Sequence, residues 1–304
     1  MFATLLGPLP RPPLGPEASD HELIEAAVRA QEAAGLEPIT DGGFGGPGSP
    51  AERWRFTAAL TTRAVKQALV GPYTVGHSGL PEASGPVARE EATLAAAEAL
   101  NLELRALVSA GCPIIEIHEP AATAIGVDRR QRALFRKAQL RLLDGVEDSH
   151  RSLAITGGNA DAATVETLLS APYASLALDL IAGPDNWRLI VATPGDRGIV
   201  CGVLSPEPGS DDGPELLLWA AGYAASTGGR GPARVGLATA STFARLSWEA
   251  AVTKLQRLGE AARLAGLPPA ERRRQIDPRA VDIRGAALGR VEPDRPFQRR
   301  GPGS

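Results

Sequence analysis

Thiols are scarce in this chain. Its 304 residues include two cysteines, Cys112 and Cys201, far apart in sequence and each inside an apolar run. Such a pair makes neither a disulfide framework nor a zinc ribbon, and reads as two small buried hydrophobes. A dominant charge of one sign is also missing. The formal net charge of −3 gives no electrostatic argument for a nucleic-acid or anionic-membrane partner. No apolar run is long enough to span a bilayer, and no amino-terminal signal peptide is evident, so the expected location is the cytoplasm. The chain does have length and apolar content. With 43% hydrophobic residues it can bury a large core, as one α/β barrel or as two smaller domains.

The most informative stretch is Cys112-Pro-Ile-Ile-Glu-Ile-His-Glu-Pro120. Ile114, Ile115 and Ile117 suit a strand covered on both faces. His118 and Glu119 arrive where that strand runs out, and Pro120 stops it because it has no N–H for a ladder. Similar short apolar runs recur at 3–7, 36–40, 65–74, 152–156, 175–178, 198–204 and 234–238. Helical patterns lie between them: one capped by Asp20, then 50–62, 88–110, 128–146, a short one capped by Asp161, then 184–191, 212–226 and 247–265. Eight strands alternating with helices predict a parallel (β/α)8 TIM barrel, a single domain over residues 1–266. The remainder, 267–304, is rich in Arg, Pro and Gly and reads as an extended arm or tail, with Arg272-Arg-Arg274 a solvated helix end. The glycine loop 41–46 lacks a phosphate-cradle context, which leaves a flexible strand-end loop or a ligand lid.

Ordered short motifs resemble the catalytic barrel of cobalamin-independent methionine synthase, in the uroporphyrinogen decarboxylase/methionine synthase superfamily. Leu6-Gly-Pro-Leu-Pro-Arg11 is similar to that family's opening Ile-Gly-Ser-Phe-Pro-Arg. Gln31-Glu-Ala-Ala-Gly35 followed by Thr40-Asp-Gly42 resembles its "QE" and "DGE" segment. Val65-Lys66, Gly71-Pro-Tyr-Thr74, Ile115-Glu-Ile-His-Glu-Pro-Ala121, Gly158-Asn159 and Lys254-Leu255 follow in the family's order. The resemblance covers residues 3–265. It implies a (β/α)8 barrel and a methyl transfer in which a zinc-bound thiolate attacks a methyl donor. The family's His, Cys, Glu and Cys zinc ligands fall here on Ala154, Thr156, Asp179 and Ser241. The Ser, Glu and Asp that handle its thiol substrate fall on Pro8, Gly43 and His118. Zinc is therefore not expected, and a folate or corrinoid methyl donor is implied by the resemblance alone.

Polar residues at the ends of the expected strands are the candidate site. His118 is the acid/base candidate, since imidazole titrates near neutral pH, with Asp179 as its catalytic partner and Glu119 as another group able to orient it. Asp41, Lys66, Glu119, Thr156, Asn159 and Ser241 are the candidate ligand-binding groups, with Ser205 at the end of the seventh strand. Lys66 could hold an anion or, if desolvated, form a Schiff base. His77 and His118 with Asp179 form the one alternative metal set. Three readings stay open: a divergent small-molecule enzyme, a methyltransferase with an altered or absent metal, and a non-catalytic ligand-binding barrel. The expected partner is a small molecule, with no nucleic acid and no membrane, and self-association through the C-terminal arm.

Overall fold

The structure is a computed structural model that describes residues 1–79, 81, 84–210, 213–267, 271, 272 and 275. Seven strands form its sheet: β1 (Phe2–Thr4), β2 (Lys66–Val70), β3 (Ile114–His118), β4 (His150–Ile155), β5 (Ser175–Asp179), β6 (Gly198–Leu204) and β7 (Val235–Thr239). All neighbours pair parallel, in the order β1-β7-β6-β5-β4-β3-β2. The sheet is curled, and its two edges meet through residues 36–40, the segment expected as the second strand. Glu37 N donates to Ala3 O (2.8 Å), Ile39 N donates to Ala64 O (2.8 Å), and Lys66 N donates to Ile39 O (2.9 Å). That segment makes two single bridges, Ala3 to Glu37 and Ile39 to Val65, rather than a full ladder. Pro38 has no N–H to contribute, which accounts for the interruption.

The helices are α1 (Asp20–Ala33), α2 (Pro50–Ala59), α3 (Pro72–Ser78), α4 (Pro86–Ser109), α5 (Arg129–Leu142), α6 (Val165–Leu168), α7 (Trp187–Ala192), α8 (Pro214–Ser226) and α9 (Trp248–Ala265). Ser19, not Asp20, caps α1: its hydroxyl accepts from Glu22 N while the Glu22 carboxylate accepts from Ser19 N, a reciprocal capping box. Asp161 opens a single 3-10 turn rather than capping α6. The run expected as one strand over 65–74 splits in two. The strand stops at Val70, and Pro72 takes the first position of α3, where its missing N–H costs nothing. His77 accordingly lies on a helix and not in a loop. Most of the arm at 267–304 falls outside the described residues. Among the described residues, no helix is long and apolar enough to cross a membrane.

Alternation along the strands separates two environments. Ile115, Ile117, Leu153, Ile155, Leu176, Leu178, Ile199 and Leu237 face outward and share one core with helix residues such as Leu104, Phe135, Leu217 and Leu258. The inner face carries Leu6, Ala154, Ala177, Val200 and Ala238, with Phe2 packed against them. Barrel interiors are ordinarily filled by bulky branched side chains; this one is lined mainly by small ones. Cys112 and Cys201 lie on the outer, helix-covered side, where burial pushes their thiols up to about 11 and about 12. Neither is a usable thiolate near neutral pH.

Arg230 is the largest fully buried side chain, with 2% of its surface exposed. Its guanidinium donates to the carbonyls of Arg197 (2.9 Å), Ala224 (2.8 Å) and Thr193 (2.9 Å), and no carboxylate is among its partners. It joins the end of α7, the end of α8 and the turn before β6. Arg230→Met should orphan those carbonyls and cost on the order of 3 kcal/mol. The expected result is a lower urea midpoint at an unchanged slope.

Candidate active site

The inner faces of β2 and β3 bring three ionisable side chains together. In the parallel register Ala68 lies beside Glu116 and Val70 beside His118, so Lys66, Glu116 and His118 all point into the barrel. Lys66 Nζ donates to both carboxylate oxygens of Glu116, at 2.8 and 2.9 Å. His118 Nε2 lies 2.8 Å from Glu116 Oε1. Burial alone would raise the Glu116 carboxyl, but the Lys66 ammonium and the His118 ring outweigh it and hold Glu116 down at about 2. An ionised carboxylate only accepts, so Nε2 carries the proton and Nδ1 is left as the working nitrogen. Burial pulls Lys66 below its ordinary value and Glu116 opposes that pull. The side chains of Lys66 and Glu116 are 1% and 3% exposed, against 16% for His118, so the histidine is the member of the set that reaches the mouth.

Above this set lies a cavity of about 240 Å³, lined by residues that include Pro8, Asp41, Gly43, Arg53, Glu116 and His118. Burial pushes the Asp41 carboxyl up, while the amide of Gly43, donating at 2.8 Å, and the charge of Arg53 pull it back. The glycine loop forms the lip. Gly43 has φ +81°, and a Cβ there would stand 2.4 Å from the Cβ of Pro8. Only glycine fits that backbone. Pro8 and Gly43 are two of the three positions at which the chain departs from the substrate-handling residues of the family it resembles, and here they pack on each other.

The other candidate residues have different settings. Asp179 ends β5, fully buried, and its carboxylate accepts from the amides of Gly157 (3.0 Å), Ile181 (2.9 Å) and Ala182 (2.8 Å). It is tied into its own loop and does not line the cavity beside His118. Glu119 turns away from the interior to hold α3. Asn159 is exposed and exchanges hydrogen bonds with Asp185 across two loops. Thr156 and Ser241 are half-buried beyond the ends of β4 and β7, and the Ser205 hydroxyl accepts from Glu207 N at 3.1 Å. His77 stacks on Tyr73, ring centroids 4.0 Å apart, with its Nδ1 at 2.8 Å from Tyr73 O. Among the described residues, no three His, Cys, Asp or Glu side chains are grouped to hold a metal ion.

Two members of the site were missed in sequence. Glu116 was hidden between isoleucines, although its spacing of two from His118 on a strand puts both on one face. Arg53 on α2 gave no signal.

Fold and site thus define a parallel α/β barrel whose C-terminal mouth holds a histidine hydrogen-bonded to a buried carboxylate. The family model for the cobalamin-independent synthase catalytic domain matches residues 22–142, and the resemblance drawn from the sequence motifs is borne out. No curated protein matches the chain. Among solved structures, a B12-independent methionine synthase from Shewanella sp. W3-18-1, in complex with selenomethionine, superposes with a TM-score of 0.69 at 18% identity, over 87% of this chain and 98% of that one. A Listeria monocytogenes protein provisionally assigned as a vitamin-B12 independent methionine synthase gives 0.66 at 15% identity, over 86% and 97%. A methyltransferase from Methanosarcina mazei gives 0.52 at 16%, over 70% and 62%. At these identities the structures share the fold.

Proposed function

We propose that this barrel is a small-molecule enzyme of the methionine-synthase-like type, working at its mouth by acid/base chemistry on His118, with a small organic acid or thioether as substrate. The observation that carries the reading is the His118–Glu116–Lys66 set opening into the cavity. A buried anion fixes the imidazole's tautomer, and Lys66 keeps that anion ionised. His118 is then the proton donor and acceptor, and Glu116 and Lys66 are positioning residues. Alkyl transfer to a thiol is compatible with this arrangement if the histidine takes the thiol proton as the sulfur bonds the alkyl group, and returns it to the donor's leaving group as the donor–alkyl bond breaks.

The family's zinc does not suit this donor set. Ala154 has no ligand atom, Thr156 and Ser241 offer neutral hydroxyls, and the Asp179 carboxylate is held by three amides. Zinc of that kind wants thiolate and imidazole. The reading includes a cytoplasmic protein whose partner is a small molecule. A non-catalytic ligand-binding barrel is the second reading, favoured by the engagement of Asp179 with its own loop.

The test is a panel of small acids, thiols and thioethers, scored for binding by thermal shift and for products by mass spectrometry. His118→Gln should lower turnover by at least about a hundredfold while leaving the thermal shift in place. Turnover unchanged in that variant would discard the role of His118. Binding with no product in the wild type would select the second reading, and stoichiometric zinc in the purified protein would overturn the donor argument.

A further inference from the structure

A row of polar groups crosses the inside of the barrel below His118. Glu116, Ser152 and Ser175 are register neighbours on β3, β4 and β5, all on the inner face, and the next position on β6 is Gly198. Ser152 is 3% exposed, and its hydroxyl is buried without a hydrogen-bond partner. Ser175, 4% exposed, meets His150 Nε2 at 2.9 Å. His150 and Ser175 in turn line a second cavity of about 290 Å³ at the opposite, N-terminal end of the barrel, with Phe2, Asp196, Gly198 and Arg234.

A buried hydroxyl without a partner carries a full desolvation penalty, and such groups ordinarily hold an ordered water. A buried water needs two to four polar partners. The hydroxyls of Ser152 and Ser175 do not meet directly, and the strand spacing of about 4.8 Å is spanned by one water with two hydrogen bonds of about 2.8 Å. Ser175 has capacity left after its bond to His150, since a hydroxyl offers one donor and two acceptor sites. Glu116 can accept more than the bonds from Lys66 and His118. Ala154 and Ala177, the next inner-face residues on β4 and β5, and Gly198 beside Ser175 add little bulk to the row; Val200 and Phe2 are the larger residues near it.

We infer that Ser152 holds an ordered water inside the barrel, hydrogen-bonded to Glu116 and to Ser175, that links the His118 set at the mouth to His150 at the base. The link gives the buried Lys66–Glu116 pair a hydrogen-bonded outlet at the end of the barrel away from the candidate active site. This holds whatever reaction the mouth performs.

The test is a crystal structure of the wild type that resolves ordered solvent, together with Ser152→Ala. Density within hydrogen-bond reach of Ser152 Oγ and of both Glu116 and Ser175 is expected, and it should be gone in Ser152→Ala. That variant should melt about 2–4 °C below the wild type. No density at Ser152, density that contacts Ser152 alone, or a Ser152 hydroxyl turned onto a backbone carbonyl would overturn the inference. So would a Tm at or above that of the wild type, which is what deleting a dry, orphaned hydroxyl produces.

Discussion

Glu116→Ala is expected to cost about 3–5 kcal/mol. The alanine leaves the Lys66 ammonium, 1% exposed, inside the barrel with no counter-charge. The lysine must then lose its proton or draw water into the core. Because the penalty belongs to the stranded charge, it should be reversible without restoring the pair: Lys66→Met combined with Glu116→Leu should recover most of the loss. Acid exposes the same interaction. The Glu116 carboxyl, held at about 2 against an ordinary 4.5, has a depressed folded-state value. Its stabilisation is therefore complete above the unfolded value and is lost as pH falls from about 4.5 towards 2. The shift corresponds to roughly 3 kcal/mol. Urea midpoints measured from pH 6 to pH 2 should fall through that window in the wild type, and less steeply in the double variant, where only the other lowered carboxylates, Glu32 among them, still titrate. A wild-type midpoint no more acid-sensitive than that of the double variant would mean the pair contributes nothing.

The alternation of strand and helix was legible because it rests on local signals. The run Gly198–Leu204 is bounded by Arg197 on one side and Ser205-Pro on the other, and it is a strand over those residues. Where one residue has two meanings, the reading failed. Pro72 can stop a strand or start a helix; here the first turn of α3 is held by the carboxylate of Glu119, brought from far along the chain. Pro38 let residues 36–40 close the ring but not pair as a ladder. The same distinction divides the site. His118 and Lys66 stood out as polar groups beside apolar strands. Glu116 did not, because its partner Lys66 is 50 residues away in sequence. Asp179, Glu119 and Asn159 were legible as strand-end polar groups. Whether such a group binds a ligand or ties a loop depends on which amides reach it from its own loop and from others, and composition and period do not encode those positions.

Glu119→Gln is expected to destabilise the protein by on the order of 3 kcal/mol, although it changes only one atom type. The carboxylate is fully buried, and four donors converge on it. Oε1 accepts from Tyr73 N (3.0 Å) and Gln139 Nε2 (2.6 Å), and Oε2 accepts from Thr74 N (2.7 Å) and Thr74 Oγ1 (2.6 Å). Burial pushes this carboxyl up while the donors pull it down. Whichever way it turns, a glutamine amide would set its NH2 against a backbone amide, Thr74 N or Tyr73 N, so a repulsive contact replaces a charge-assisted bond. The site cannot relax around the change: a Cβ on Gly71 would stand 2.3 Å from the Glu119 carboxyl carbon, which shows how closely the chain before α3 is wrapped on this side chain. Behind it, Gln139 is itself held by the Tyr173 hydroxyl, so the disturbance should pass to α5. Amide exchange in α3 should accelerate along with the fall in urea midpoint. Lys66→Met should give no relief, because the lost partners are backbone amides and not a cation. An exchange rate in α3 equal to that of the wild type would show that Glu119 is replaceable there, and that Pro72 and Gly71 alone suffice to start the helix.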